Sequence, residues 1–204
     1  MALVPGARVL DAGCGRTTRL RHYRDRIAEL TGADLEADGG RENRALDRFV
    51  VADLCRRLPF EDVAFDVVYA NFVIEHLSRP EVAFGEWRRV LAVGGSLIVV
   101  TSNRANPLVA AAGLLPGRAR VTLKRRGAGV VERDVFPTLY RANTPERLAS
   151  LLVEAGFEAV ATSYVATLHR YAARLRPLDS VLRACERVLP ERRRSTIVAW
   201  YRAV

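Results

Sequence analysis

The chain has 204 residues, half of them hydrophobic, with a formal net charge of +9 at pH 7. That length and apolar content suit one domain with its own core and exclude a disordered or low-complexity chain. No uncharged run reaches the ~20 residues of a membrane span, and the three cysteines lack metal or redox spacing, so a reduced cytoplasmic compartment is expected.

The first strand is predicted at Ala7 to Leu10. It ends in Asp11-Ala12-Gly13-Cys14-Gly15, a glycine turn that allows close backbone approach. Cys14 there reads as a small filler. Thr17 to Arg26 is a short polar helix. Ile27 to Ala33 is the second strand, ended by Asp34-Leu35. A brief helix is all that fits before Phe49 to Ala52, the third strand, followed by Asp53-Leu54. Phe65 to Ala70 is the fourth strand and leads to Asn71-Phe72. Pro80 to Leu91 is a helix with Ser78 or Arg79 near its cap and Pro80 in its first turn. Gly94-Gly95 turns into the fifth strand, Ser96 to Thr101. Residues 102–143 interrupt the alternation and read as a lid or acceptor insertion. Thr144 caps a helix that begins at Pro145 and ends at Gly156. Phe157 to Tyr164 and Ser195 to Tyr201 are the sixth and seventh strands. Between them, at about 168–194, lies a basic helical insertion. Its stripe of Leu168, Tyr171, Leu175, Leu178, Leu182, Cys185 and Leu189 is expected to be split by Pro177.

Nearly apolar strands alternating with helices predict an α/β fold, a doubly wound and mostly parallel sheet. Ligands of such sheets bind at the carboxyl ends of the strands. Four sequence features meet there: the Asp11 to Gly15 turn, Asp34, Asp53 and the Asn71-Phe72 exit. Asp34 is placed for a ribose diol and Asp53 for the amino group of an adenine. Taken singly, each acid is as well explained as a cap after its strand; their order and spacing carry the signal.

Asp11-x-Gly13-Cys14-Gly15, Gly32-Ala33-Asp34-Leu35, Ala52-Asp53-Leu54 with Leu58-Pro59-Phe60, Phe65 to Leu77, and Val93 to Leu97 together resemble the class I methyltransferases that use S-adenosylmethionine. The likeness is to their small-molecule, type 11-like group. It implies a single Rossmann-like domain over 1–204, with seven strands and an antiparallel last strand. It also implies S-adenosylmethionine as cofactor, held by Asp11, Ala12, Gly13, Cys14, Gly15, Asp34, Leu35, Ala52, Asp53, Leu54, Asn71 and Phe72. Thr17 stands where the family has a third glycine. Only six residues precede the first strand, where the family usually has helices that help close the site, so two readings stand: a truncated chain, or cover supplied by the 102–143 insertion.

Methyl transfer needs positioning and solvent exclusion, and a hydroxyl acceptor needs a base. His76 is the first candidate and Glu75 the second, with Tyr140 and His169 behind them. His76 is equally read as a locally bonded helix residue. No metal ligand set is seen. The charge is uneven: residues 1–117 hold 15 arginines against 15 acids, while 118–204 hold 17 Arg and Lys against 8 acids. A small-molecule or lipid-linked anionic acceptor suits this, with O-methylation and peripheral membrane contact through the basic half; nucleic acid is not expected. Thr101-Ser102-Asn103-Arg104 and Tyr140-Arg141-Ala142-Asn143-Thr144-Pro145 resemble segments of envelope and glycan methyltransferases. Two alternatives stand: an RNA or protein methyltransferase using the basic half, and a non-catalytic scaffold retaining the fold.

Overall fold

The computed structural model describes residues 5–114, 137–169 and 176–204. Seven strands form one sheet: β1 Ala7–Ala12, β2 Ile27–Asp34, β3 Arg48–Val51, β4 Phe65–Asn71, β5 Leu91–Ser102, β6 Phe157–Val165 and β7 Thr196–Ala203. Their order is β3-β2-β1-β4-β5-β7-β6. β1 to β5 run parallel, and β7 runs antiparallel to both β5 and β6. Among the described residues, five α-helices accompany the strands: α1 Ala37–Glu42, α2 Pro80–Val90, α3 Pro107–Leu114, α4 Pro145–Glu154 and α5 Arg176–Val188.

Central strands are apolar because both faces are covered. Leu10, Val68, Leu97 and Val99 are fully buried, on a core closed by Phe84 and Trp87 of α2 and Leu148 and Leu152 of α4. A second cluster under the opposite face joins Val9, Leu20, Leu30 and Tyr69. α1 is only six residues long, as the short interval between β2 and β3 requires. The polar segment after the glycine turn is a 3-10 helix over Arg19–Arg26, kinked at Tyr23, with the Thr18 side chain capping Leu20 N–H. α2 starts at Pro80 with Arg79 in the cap position, and the Arg79 side chain makes no capping bond. Thr144 accepts from Arg147 N–H and caps α4 as expected.

The fifth strand differs from expectation. Gly94 has φ +77°, yet both glycines lie inside β5, which begins at Leu91. Phe65 pairs with Leu91 and Val67 with Ser96, so the glycines form an irregular bulge rather than a turn before the strand. In the insertion after β5, the described parts are α3 and the stretch from residue 137 to α4. Arg118, Arg120, Lys124, Arg125 and Arg126 lie outside the described residues, as do Tyr171 and Leu175 of the predicted stripe. Pro177 falls in the first turn of α5, where proline is tolerated.

The loop after β3 is fixed from α2. Glu86 accepts from Leu58 N–H at 2.8 Å. Arg89, 15% exposed, donates to the carbonyls of Phe60 and Leu58 and to Asp62 and Glu86. Arg89→Ala leaves two carbonyls and a half-buried Glu86 without their donor. We expect a loss of about 2–3 kcal/mol in a denaturant melt; an unchanged midpoint would show that the network contributes nothing.

Candidate functional site

The carboxyl ends of β1 to β4 enclose a cleft of about 530 Å³. The turn after β1 forms its floor. Gly13 N–H and Cys14 N–H donate to Ala33 O at 2.8 and 3.3 Å, which holds the turn against β2. Gly13 has φ +79°, and a Cβ there would stand 2.5 Å from Val73 Cγ2. Gly15 has φ +51°, and a Cβ there would meet nothing within 4 Å. The first glycine is therefore required by packing and conformation. The second faces open space, where a ligand can approach the backbone.

Asp34 ends β2 across this turn. One carboxylate oxygen accepts from Gly15 N–H at 2.9 Å and the other from Glu36 N–H at 3.0 Å. A carboxylate has about four acceptor sites, so two N–H donors leave capacity for a diol. Asp53, after β3, accepts from Cys55 N–H at 2.8 Å and pairs with Arg56 at 3.3 Å. Leu35, Ala52, Leu54 and Phe72 add apolar wall. Leu35 is 70% exposed, an apolar side chain standing at the cleft without cover. Phe72 takes φ +53°, a left-handed conformation that a bulky residue rarely adopts, and its N–H is held by Val100 O at 2.7 Å.

His76 closes the far side of the cleft. It ends the 3-10 turn Ile74–His76. Its Nδ1 lies 2.7 Å from Pro137 O. A carbonyl only accepts, so Nδ1 carries the proton and Nε2 is the basic nitrogen of the neutral ring. The same strand of chain is tied down by Leu139 N–H and Tyr140 N–H, which both donate to Glu75 O at 2.7 and 3.1 Å. Residues 137–140 thus strap the turn that presents His76.

Gly13, Gly15, Asp34, Leu35, Ala52, Asp53, Leu54, Phe72 and His76 are brought together at the cleft. Other sequence candidates lie beneath it. Ala12 is fully buried and Cys14 is 3% exposed, with burial pushing its thiol up, as a filler and not a nucleophile requires. Asn71 ends β4 without lining the cleft. Glu75 is 4% exposed and turned away, because its carboxylate accepts from Thr101 Oγ1 at 2.8 Å and Ser102 Oγ at 2.9 Å. It is an anchor for β5, not a second base. Arg16, Thr17, Glu36, Gly39 and Cys55 also line the cleft and were not singled out as contacts. For Thr17 the signal was there, since it follows the turn in the third-glycine position. The two polar segments that flank the insertion act as joinery. Asn143 donates to Thr101 Oγ1 and Ser102 O, and Arg104 N–H donates to Asn143 O.

Asp11 sits under the turn, 2% exposed. Burial raises its carboxyl from about 3.8 to about 7, with Thr18 opposing that shift and Asp34 adding to it. The folded state therefore keeps a proton that the unfolded chain releases above its lower value. Stability from this group falls as pH rises from about 4 to about 7 and is level above. Asp11→Asn lacks that decline. We expect its thermal midpoint to gain on the wild type progressively across this window; a constant difference would contradict the assignment.

The described residues contain no group of three or more His, Cys, Asp or Glu able to hold a metal, and no helix long and apolar enough to cross a membrane. Residues 10–99 match the family described as a methyltransferase domain. The malonyl-acyl-carrier-protein O-methyltransferase of Enterobacter lignolyticus is 36% identical over 107 residues, 50% of this chain and 42% of that protein. The enzyme of that name from Herminiimonas arsenicoxydans is 32% identical over 145 residues, 68% of this chain and 53% of that protein. The chain thus spans about half the length of these curated relatives. Among solved structures, an S-adenosylmethionine dependent methyltransferase from Mesorhizobium loti superposes with a TM-score of 0.63 at 17% identity. The match covers 99% of this chain and 93% of that one.

Proposed function

We propose that the chain, whose residues 10–99 match the methyltransferase-domain family, uses S-adenosylmethionine to transfer a methyl group to an oxygen of a small acceptor or one linked to a carrier or lipid. One observation carries the reading. The Asp34 carboxylate stands across the open Gly13 to Gly15 turn, in one cleft with Asp53 and His76.

The residues fit the cofactor. The open space at Gly15 admits a ligand against the backbone, and a diol can use the remaining acceptor sites of Asp34. Asp53 offers an acceptor to an amino group, and Leu35 and Leu54 offer apolar contact to a flat ring. When bound, S-adenosylmethionine supplies a methyl group on a sulfonium, ready for displacement by a nucleophile. The chain's part is to place the acceptor oxygen, exclude water and remove a proton where the oxygen carries one. His76 Nε2 is the basic atom for that removal. The Pro137 carbonyl keeps the ring in this tautomer and stabilises the imidazolium that results. A carboxylate acceptor is already ionised at neutral pH and needs no base.

The relatives' names point to carboxylate on a carrier, and the basic half suits any anionic acceptor. Release of S-adenosylhomocysteine tests the reading, with malonyl thioesters in one panel and phosphorylated or lipid-linked hydroxyl compounds in another. Turnover on either panel supports methyl transfer to oxygen. Turnover confined to amine or RNA acceptors would overturn it.

A further inference from the structure

The connection from β6 to β7 holds a helix whose rotation is fixed by a buried acid. Glu186 of α5 is 1% exposed. Its two oxygens accept from Ser195 N–H and Leu168 N–H, each at 3.0 Å. This clamp turns the adjoining face of α5 inward, with Leu182 and Cys185 half-buried. It leaves a different apolar row outside. Val181 and Val188 are 56% and 83% exposed, two helical turns apart, with Ala184 exposed between them. Leu178, 37% exposed, lies one turn before Val181.

Arg187 lies beside that row, while Arg183 lies on another face of the helix and pairs with Asp179 at 2.9 Å; Arg192 and Arg193 follow in an exposed turn. The turn is pinned to the start of the other insertion. Asn103 Nδ2 donates to the carbonyls of Arg192 and Arg194 at 2.9 and 2.8 Å, and Asn106 Nδ2 to that of Arg193 at 2.7 Å. The backbone of the turn is thereby held, with the Arg193 side chain exposed and Arg192 3.9 Å from Glu146. Ser102 at the end of β5 and Val165 at the end of β6 both pair with Thr196. The helix therefore stands at the same end of the sheet as the cleft.

We propose that this face of α5, with the Arg192-Arg193 turn, docks on an anionic lipid surface. Short aliphatic side chains enter the headgroup boundary while arginines grip phosphates, the pattern of an interfacial helix. Charge complementarity favours this occupant: residues 118–204 carry the entire +9 excess, and the exposed valines ask for apolar burial that a nucleic acid backbone does not offer. Docking in this way turns the cleft's end of the sheet toward the membrane, where a lipid-linked acceptor is found. The surface stands independently of the methyl-transfer reading.

Co-sedimentation with vesicles, in the absence of cofactor and acceptor, tests it. The chain is expected to pellet with phosphatidylcholine–phosphatidylglycerol vesicles and not with phosphatidylcholine alone, and to be released by high salt. Val181→Asp combined with Val188→Asp should weaken binding by roughly tenfold or more. Arg187→Glu with Arg193→Glu, which leaves the apolar row intact, should do the same and keep the circular dichroism spectrum. Equal pelleting with neutral vesicles, or binding indifferent to both double variants, would overturn the proposal. A dimer that the valine variant converts to monomer, with no vesicle binding, would overturn it in favour of a second copy. Binding of RNA or an acidic protein without vesicle binding would overturn it in favour of that partner.

Discussion

Asp34→Ala is expected to weaken S-adenosylmethionine binding by about 100-fold or more. Hydrogen bonds to a charged acceptor contribute about 1.5–3 kcal/mol each, and a ribose diol makes two with one carboxylate. The substitution also strips the acceptor from Gly15 N–H and Glu36 N–H, so the turn itself loosens. Asp34→Asn separates the two effects. Its amide oxygen can keep one of the backbone bonds, while the charge is gone and half of its hydrogen-bonding edge becomes a donor. Equilibrium dialysis should show Asn weakened less than Ala, with both proteins folded. Wild-type affinity in either variant would mean that Asp34 is only a cap for the turn after β2.

His76→Gln should lower turnover on a hydroxyl acceptor by about 10²–10³-fold while leaving cofactor affinity near the wild-type value, since general base catalysis contributes in this range. On a carboxylate acceptor the same variant should lose much less, because no proton is removed. The contrast between acceptors identifies the proton-transfer role and separates it from a packing role. An equal loss on both, or a loss of cofactor binding, would place His76 among the residues that merely shape the cleft.

The fold was legible because its signals are local. A strand, a glycine turn and an acid at the next strand end follow directly from residue order, and parallel strands buried on both faces leave near-continuous apolar runs. Even so, Gly94 and Gly95 read as a turn, because a bulge inside a strand and a loop before it share the same residue types. At the site, the strand-end residues that line the cleft were predictable from spacing. Glu75 was not. Whether it or His76 faces the cleft depends on a 3-10 turn three residues long and on hydroxyls 26 and 27 positions further along the chain. Asp11, expected among the cofactor contacts, is a buried acid beneath the turn, 2% exposed. The stripe in the last insertion was read with one apolar face inward. Glu186 clamps α5 through residues nine and 18 positions away, so Val181 and Val188 end up outside. Periodicity reports that a helix is amphipathic; the rotation that distant contacts impose is not written in it.

The central claim is that the carboxyl-end cleft is a cofactor site. Isothermal titration of the chain with S-adenosylmethionine and with its demethylated product tests it most directly. The account predicts saturable one-to-one binding of both, in the micromolar range expected of such a site, with competition between them. A folded protein that gives no heat and no competition with either ligand would contradict it, and would leave the fold as a scaffold.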